Sequence, residues 1–143
     1  MIYSLLKKSD DEDIPIILAA YNQPSVSQFI SIDEDNYWIY VTETDNVFFY
    51  KIYVNDVLTA TTQIELINRV LYMSIVVFPK YQNQGIGKII LKDIQSGKLK
   101  LDFTKIMVSV DEKNIASLKL FEKCGFVCIV KDEELYKYVY IMN

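Results

Sequence analysis

A pair of glycines separated by one residue constrains the fold of this chain more than any other feature of its sequence. Gly85 and Gly87 follow the apolar run VLYMSIVVF (70–78) and precede a helical pattern of isoleucines at Ile86, Ile89, Ile90 and Ile94. Glycine weakens regular structure, so such a pair usually marks a close approach of the backbone to another group. The N–H groups at a helix N-terminus lack partners and attract anions. The segment therefore predicts a strand, an anion-binding turn and a helix.

Two common phosphate-binding motifs do not fit this segment. A Walker A loop that ends at Gly87-Lys88 would need glycine at Gln82 and serine or threonine at Ile89. A dinucleotide-binding G-x-G-x-x-G motif would need a third glycine at Ile90. The remaining pattern is Gln82-x-x-Gly85-x-Gly87 directly after an apolar strand. Taken alone, this pattern also fits a tight strand-to-helix turn that binds no ligand.

The composition predicts one globular domain that spans residues 1–143. The chain is 51% apolar and 24% charged, which is typical of a protein with a packed core. Its apolar runs are far shorter than the roughly 20 residues needed to cross a bilayer. In the N-terminal segment, Lys7 and Lys8 follow the apolar residues instead of preceding them, which is the wrong order for a secretory signal. We therefore expect a cytoplasmic protein without membrane contact.

The charge and the absence of histidine restrict the chemistry further. The net charge of -4 does not favour nucleic acid and suits a basic small molecule or peptide instead. Cys124 and Cys128 are the only cysteines, and without histidine they do not supply the usual four ligands of a structural zinc site. We expect no metal. The absence of histidine also excludes every histidine-based catalytic triad.

The hydrophobic pattern predicts a mixed α/β or α+β sheet. Acidic residues 10–13 open a helix that runs to about Tyr21, and Pro24 begins a second helix that runs through Ile30. The span 37–43 is ambiguous between helix and strand. A hairpin of strands 47–54 and 57–66 follows, and the apolar run 70–78 predicts a central strand buried on both faces.

The isoleucine pattern after the turn predicts a helix with one buried stripe that ends at Gly97. The remaining predicted elements are a strand at 105–110, a helix from the N-cap Asn114 to Gly125, and strands at 126–130 and 135–142. The second helix has its own apolar stripe, formed by Ile115, Leu118 and Phe121.

Two segments carry a more specific signal. VVFPKYQNQGIG (76–87) contains the pattern V-x-P-x-Y-[QR]-x-x-G-x-[GA], and NIASLKLFEKCGF (114–126) contains N-x-x-[AS]-x-x-[LF]-[YF]-E-x-x-G-F. Together they resemble the motifs of the GNAT superfamily of acetyl-CoA-dependent N-acetyltransferases. The resemblance implies a single GNAT-like domain with a central, mixed but mostly antiparallel sheet flanked by about four helices. It also implies acetyl-CoA as co-substrate.

The resemblance implies a set of cofactor-binding residues. The backbone of the strand would pair with the pantetheine arm as an added strand. The amides of the turn would hold the pyrophosphate, assisted by the helix dipole. Asn114 and Phe121 would lie against the cofactor from the second motif. The full set is Ile75, Val76, Val77, Gln82, Asn83, Gln84, Gly85, Ile86, Gly87, Lys88, Asn114 and Phe121.

The chemistry implied by the resemblance is direct attack of a primary amine on the thioester. Many relatives carry a tyrosine acid where this chain has Phe121, and some carry a glutamate base where it has Ser109. Neither residue here performs acid–base work. The replacement acids are the tyrosines of the last strand, Tyr136, Tyr138 and Tyr140, and Tyr72 on the central strand; of these we expect Tyr138, with Glu65 as a base through water. The expected acceptor is a small, cationic amine or a peptide. The alternative is a non-catalytic acyl-CoA sensor, and the Tyr-rich final strand suggests an edge for a homodimer.

Overall fold

The computed structural model describes residues 1–32 and 36–142, and its strands form one seven-stranded sheet. The strands are β1 Ile2–Leu5, β2 Val47–Val54, β3 Val57–Ile67, β4 Val70–Val77, β5 Lys105–Asp111, β6 Val127–Lys131 and β7 Leu135–Ile141. Their order in the sheet is β1-β2-β3-β4-β5-β7-β6. β4 and β5 run parallel, whereas the pairs β1–β2, β2–β3, β5–β7 and β6–β7 are antiparallel. The predicted mixed, mostly antiparallel sheet is confirmed.

The described residues contain five α-helices, close to the four that we expected. They are α1 Ile14–Tyr21, α2 Pro24–Ser27, α3 Tyr37–Glu43, α4 Ile86–Gln95 and α5 Ile115–Lys123. The ambiguous span 37–43 is helical, and α2 ends at Ser27, earlier than predicted. Within the described residues, no helix is both long enough and apolar enough to cross a membrane.

The chain divides into two compact units. The first unit comprises Met1–Glu65 and Ser74–Gln84, and the second comprises Leu66–Met73 and Gly85–Asn143. The core of the first unit includes an aromatic group in which Tyr37, Trp38 and Phe49 meet edge to face. Phe49 is fully buried there, and burial of such a side chain contributes roughly 1.5–3 kcal/mol. This core holds α3 against β2.

The second unit has its own apolar core. Side chains of α4, β5 and α5 are buried in it: Ile86, Ile90, Leu91, Ile94, Ile106, Val108, Val110 and Phe121. Phe121 packs edge to face against Phe126, with ring centroids 5.1 Å apart. The predicted helix ends are confirmed, because Gly97 and Gly125 follow α4 and α5 with φ of +82° and +88°. Glycine adopts this left-handed conformation with little strain.

Several sequence predictions about burial were wrong. Ile89 and Ile115 are about half exposed, so the buried stripes of α4 and α5 are narrower than predicted. β4 is central, but Tyr72 and Ser74 are exposed, so this strand is not buried on both faces. An apolar run shows that a strand can be buried, but it does not show that both faces are covered.

The sheet edges also differ from expectation. β7 lies between β5 and β6, so the Tyr-rich final strand is not an edge. The edge strands are β6 and β1, and β1 was not predicted. β1 has only four residues, and its pairing with β2 joins residues about 50 positions apart, as in Ile2 with Tyr53. A pairing between such distant residues leaves no local periodicity in the sequence.

Candidate functional site

The turn after β4 begins with a 3-10 helix, Pro79–Tyr81. The side-chain amide of Gln82 then donates a hydrogen bond of 3.1 Å to the carbonyl of Val77. This bond ties the start of the turn to the end of β4. Asn83 has a φ of +64°, in the left-handed region that asparagine tolerates better than most residues. Gln82 therefore shapes the turn with its side chain, and its backbone amide is bonded to the carbonyl of Pro79 at 3.4 Å.

Gly85 is the N-cap of α4 and has a φ of +79°. A Cβ added to it would have no atom within 4 Å, so packing does not exclude a side chain there. No side chain caps α4, and its first turn contains no acidic residue. The N–H groups at this helix end are therefore available to an anion, and the space in front of Gly85 is open. Gly87 lies inside the first turn of α4 without a positive φ.

The C-terminal part of β4 has a distinct hydrogen-bonding pattern. β5 pairs with β4 only over Val70–Tyr72, the first three residues of that strand. From Met73 to Val77, the described residues therefore provide no β5 partner along this edge. An extended ligand can pair with such an edge by β-augmentation. Ile75, Val76 and Val77 lie in this portion, with the Val76 side chain buried.

Asn114 caps α5 as predicted. Its Oδ1 accepts a hydrogen bond of 3.3 Å from the amide of Ser117. Its side-chain NH₂ makes no hydrogen bond to any residue that the structure describes. The helix cap therefore uses the side-chain oxygen of Asn114 and leaves its NH₂ group available to donate to a ligand. Phe121, on the same helix, is buried in the second unit.

Tyr138 is only 2% exposed, and its hydroxyl donates a 2.8 Å hydrogen bond to Oε1 of Glu122 on α5. Burial and, after it, the hydrogen bond to the Glu122 carboxylate raise the pKa of Tyr138 to about 12. Tyr138 therefore holds its proton more firmly than a tyrosine in water. To act as an acid, it would have to release Glu122.

Glu65 is half-buried near the end of β3, where two donors hold the same carboxylate oxygen. Oε1 of Glu65 accepts hydrogen bonds from the Tyr40 hydroxyl at 2.5 Å and from Nε2 of Gln63 at 3.1 Å. The hydrogen bond to Glu65 raises the pKa of Tyr40 to about 12, because the phenolate would face a carboxylate. The Tyr37 hydroxyl donates to Oε1 of Gln63 at 2.6 Å. The structure thus adds Tyr37, Tyr40 and Gln63 to the surroundings of Glu65.

Sequence reasoning did not identify these three partners. Two signals were present in the sequence. Gln63 and Glu65 are two residues apart in β3, so they lie on the same face of the strand, and Tyr37 and Tyr40 have the spacing of one helix face. The ambiguity between helix and strand at 37–43 concealed the second signal.

The predicted site residues belong to both units. Glu65, Ile75–Val77 and Gln82–Gln84 are in the first unit, whereas Gly85–Lys88, Asn114, Phe121 and Tyr138 are in the second. Within the described ranges, no group of three or more His, Cys, Asp or Glu residues could hold a metal ion.

The comparisons with known proteins agree with one another. A model of the acetyltransferase (GNAT) family matches residues 12–126. The fold is similar to that of the N-acetyltransferase PseH of Campylobacter jejuni in complex with acetyl coenzyme A, with a TM-score of 0.79 and 12% identity over 99% of this chain and 100% of that chain. It is also similar to a spermidine N-acetyltransferase SpeG chimera of Vibrio cholerae and hSSAT, with a TM-score of 0.78 and 16% identity over 99% and 96% of the two chains. A GNAT-family acetyltransferase of Streptococcus pneumoniae gives a TM-score of 0.71 and 17% identity over 99% and 100%.

Proposed function

Because the chain belongs to the acetyltransferase (GNAT) family, we propose that it transfers the acetyl group of acetyl-CoA to a primary amine of a small cationic acceptor or a peptide. One observation carries this proposal: after β4 and the turn that follows it, α4 begins with an N-terminus that has no side-chain cap and open space at Gly85. Acetyl-CoA is the acetyl donor of this family. Its pyrophosphate is the kind of anion that such a helix end binds.

The proposed contacts follow from the local geometry. The amides from Asn83 to Lys88 are proposed for the pyrophosphate, because the amide of Gln82 is bonded to the carbonyl of Pro79. The backbone of Ile75–Val77 is proposed for the pantetheine arm. The absence of β5 pairing beyond Tyr72 in the described chain supports the second contact. Asn114 contributes the donor end of its amide. Phe121 was also predicted to contact the cofactor, but it is buried in the core of the second unit, so it supports α5 instead.

The proposed reaction is direct attack by the neutral amine on the thioester carbonyl. A C–N bond forms, the C–S bond breaks, the amine loses a proton, and the departing thiolate gains one. A backbone N–H near Val76 or Val77 is proposed to stabilise the oxyanion. A thiolate whose conjugate acid has a pKa near 8.5 is a fair leaving group even without assistance.

Glu65 and Tyr138 are the proposed acid–base residues. Glu65 is partly accessible and acts as a base through water. Tyr138 acts as the acid only when its hydroxyl is released from Glu122, since it donates to that carboxylate in the structure. A positioned acid or base typically contributes about 10²–10⁴-fold, so loss of either slows turnover without abolishing it.

The proposed acceptor is a cationic amine. The net charge of -4 favours a positively charged partner over a nucleic acid. One protein of similar fold is a spermidine N-acetyltransferase chimera, which supports a cationic acceptor. Residues 1–143 are proposed to work as one N-acetyltransferase domain. The homodimer and the cytoplasmic location stay predictions.

A second candidate function is a non-catalytic acyl-CoA sensor. Phe121 has no hydroxyl where many relatives have an acidic one, and the Tyr138 hydroxyl is occupied by Glu122. These two observations favour a protein that binds acetyl-CoA without rapid transfer.

The release of coenzyme A tests both candidates. The protein is incubated with acetyl-CoA and a panel of primary amines, and free thiol and acetylated amine are measured against time. Thiol release that depends on both protein and amine supports the acetyltransferase. Binding of acetyl-CoA without amine-dependent release supports the sensor, and absence of binding refutes both.

A further inference from the structure

The Glu65 carboxylate is fixed by a chain of hydrogen bonds that begins in the aromatic core. Tyr37 packs edge-on against Trp38 and Phe49, and its hydroxyl donates to Gln63 at 2.6 Å. Gln63 in turn donates to Oε1 of Glu65 at 3.1 Å. Because Tyr37 is held by packing, both Gln63 and the carboxylate have a defined orientation. This arrangement orders several side chains around one charge, which costs conformational entropy.

The other oxygen of Glu65, Oε2, has no hydrogen-bond partner among the residues that the structure describes. Both donors, Gln63 and Tyr40, contact Oε1, and Glu65 makes no ion pair with any residue that the structure describes. Asp11 and Asp13, two other partly buried acids of the first unit, both meet Lys51 at 2.9 Å. A partly buried carboxylate that no cation neutralises offers a fixed negative charge to a positively charged ligand.

The position of Glu65 along β3 indicates which nitrogen of the acceptor it contacts. Thr62 donates a hydrogen bond of 2.8 Å to the carbonyl of Ser74, the residue before the proposed contacts Ile75–Val77. Glu65 is three residues further along β3, which corresponds to roughly 10 Å at the rise of a strand. This is the backbone distance between Thr62 and Glu65. If the thioester lies beside Ile75–Val77, as proposed, Glu65 is too far along β3 for direct contact with the amine that attacks it. This position suits a second charged group on the same acceptor.

We infer that the unpartnered oxygen of Glu65 binds the second, protonated nitrogen of a diamine acceptor, while the first nitrogen reacts. This inference rests on the proposed function, because it names the substrate class of that site. Tyr40 and Gln63 are positioning residues that hold Oε1 and leave Oε2 for the ammonium group. The contact is a charge-assisted hydrogen bond. It occupies the second carboxylate oxygen, so this role of Glu65 is an alternative to its proposed role as a base through water.

The test compares two ligands of equal length by isothermal titration calorimetry. The ligands are 1,5-diaminopentane and 5-aminopentan-1-ol, which differ in one terminal nitrogen. Each is titrated into the protein with and without saturating coenzyme A, which lacks the acetyl group and prevents turnover. The wild type should bind the diamine about tenfold more tightly or better, the effect of one charge-assisted hydrogen bond.

Two variants locate the preference. Glu65→Gln keeps an oxygen that accepts from Tyr40 and Gln63 but removes the charge, so it should bind both ligands with similar affinity. Glu43→Gln, on the exposed end of α3, makes the same change in net charge and should retain the wild-type preference. Equal affinities in the wild type, or an unchanged preference in Glu65→Gln, would overturn the inference.

A titration of coenzyme A itself into the protein separates this inference from the proposed function. If coenzyme A does not bind, the acetyltransferase proposal fails, and the titrations without coenzyme A still decide the role of Glu65. If coenzyme A binds and the diamine preference is absent, only the inference about Glu65 fails.

Discussion

Gly85 and Gly87 are glycines for different physical reasons, although they stand two positions apart. Gly85 has a left-handed φ of +79°, which costs other residues roughly 1–2 kcal/mol. Gly87 lies in α4 with no positive φ, where alanine would be preferred by up to about 1 kcal/mol. Gly87→Ala should therefore leave the stability of the ligand-free protein equal or higher, yet weaken acetyl-CoA binding. Urea unfolding and calorimetric titration measure the two effects.

Gly97 supplies the matched control for Gly85. It has a φ of +82° and, like Gly85, no atom within 4 Å of an added Cβ, but it follows the C-terminus of α4. Gly85→Ala and Gly97→Ala should lose similar stability, and only Gly85→Ala should also lose acetyl-CoA affinity. Equal affinity in both variants, or unchanged affinity in Gly87→Ala, would count against a phosphate at this turn.

Tyr138 allows a kinetic prediction. Tyr138→Phe removes the hydroxyl that donates to Glu122 and leaves that exposed carboxylate to water, so the fold should lose about 1 kcal/mol. If Tyr138 is the acid, kcat should fall about 10²–10⁴-fold while the Kd for acetyl-CoA stays unchanged. Unchanged kcat would restrict Tyr138 to a structural role.

The kinetics of Glu65→Gln distinguish a role of Glu65 as a base from a role in binding the acceptor. Loss of a base lowers kcat, whereas loss of an acceptor contact chiefly raises KM for the diamine. Steady-state kinetics with 1,5-diaminopentane measure both parameters. If neither parameter changes, Glu65 takes no part in the reaction.

One buried lysine on β2 forms ion pairs with two aspartates at the start of α1. Nζ of Lys51 lies 2.9 Å from carboxylate oxygens of Asp11 and of Asp13, and its side chain is only 10% exposed. Lys51→Met leaves two partly buried carboxylates without a cation, so we expect a loss of about 2–4 kcal/mol in the free energy of unfolding. Arg69→Ala is the control, because its ion pair with Asp102 is exposed and should contribute at most about 1 kcal/mol. Similar losses in both variants would contradict this account.

The contacts of Asp13 with Lys51 and Tyr53 predict that the stability of the fold depends on pH. Hydrogen bonds from Tyr53 and from Lys51 lower the pKa of Asp13 below its ordinary value near 3.8. A carboxyl with a lowered pKa stabilises the fold above the pKa of the unfolded chain, and this contribution is lost as pH falls through the folded-state pKa. Stability of the wild type should therefore decline below about pH 4. In Asp13→Asn this part of the decline should be absent, as urea unfolding between pH 7 and pH 2.5 would show.

These elements also show what the sequence could and could not predict. The turn and the two helix ends were predictable because Gly85, Gly97 and Asn114 act through local backbone geometry. The contact of Asp13 with Lys51 was not, because it joins residues 38 positions apart through the placement of α1 on β2. We expected the acidic residues to support the first turn of a helix, but Asp13 makes no side-chain capping bond. Its carboxylate is used by Lys51 and Tyr53 instead.

The prediction of one domain concerns the whole molecule. The chain divides into two compact units, and β4 contributes residues to both. If one unit unfolds, β4 loses part of its structure, and the other unit loses part of its own strand. We therefore expect one cooperative unfolding transition, with equal calorimetric and van't Hoff enthalpies. Two separate transitions would contradict the single domain.

The response of that transition to acetyl-CoA is the broadest test of the proposed function. A ligand at about 100 times its Kd adds about 2.7 kcal/mol, which corresponds to a rise in Tm of roughly 5–10 °C for a chain of this length. S-acetylpantetheine, which lacks the pyrophosphate, should give a much smaller shift at the same concentration. Gly85→Val should lower the Tm and abolish the shift, because its side chain occupies the open space before α4.

Gly97→Val, with the same backbone strain, should lower the Tm and retain the shift. This pair of variants separates loss of binding from loss of stability, since the shift is compared within each variant. A shift in Gly85→Val equal to that of the wild type would mean that acetyl-CoA binds elsewhere. No shift in the wild type would mean that the chain keeps the fold of its family without its acetyl donor, and then both the transferase and the sensor proposals would fail.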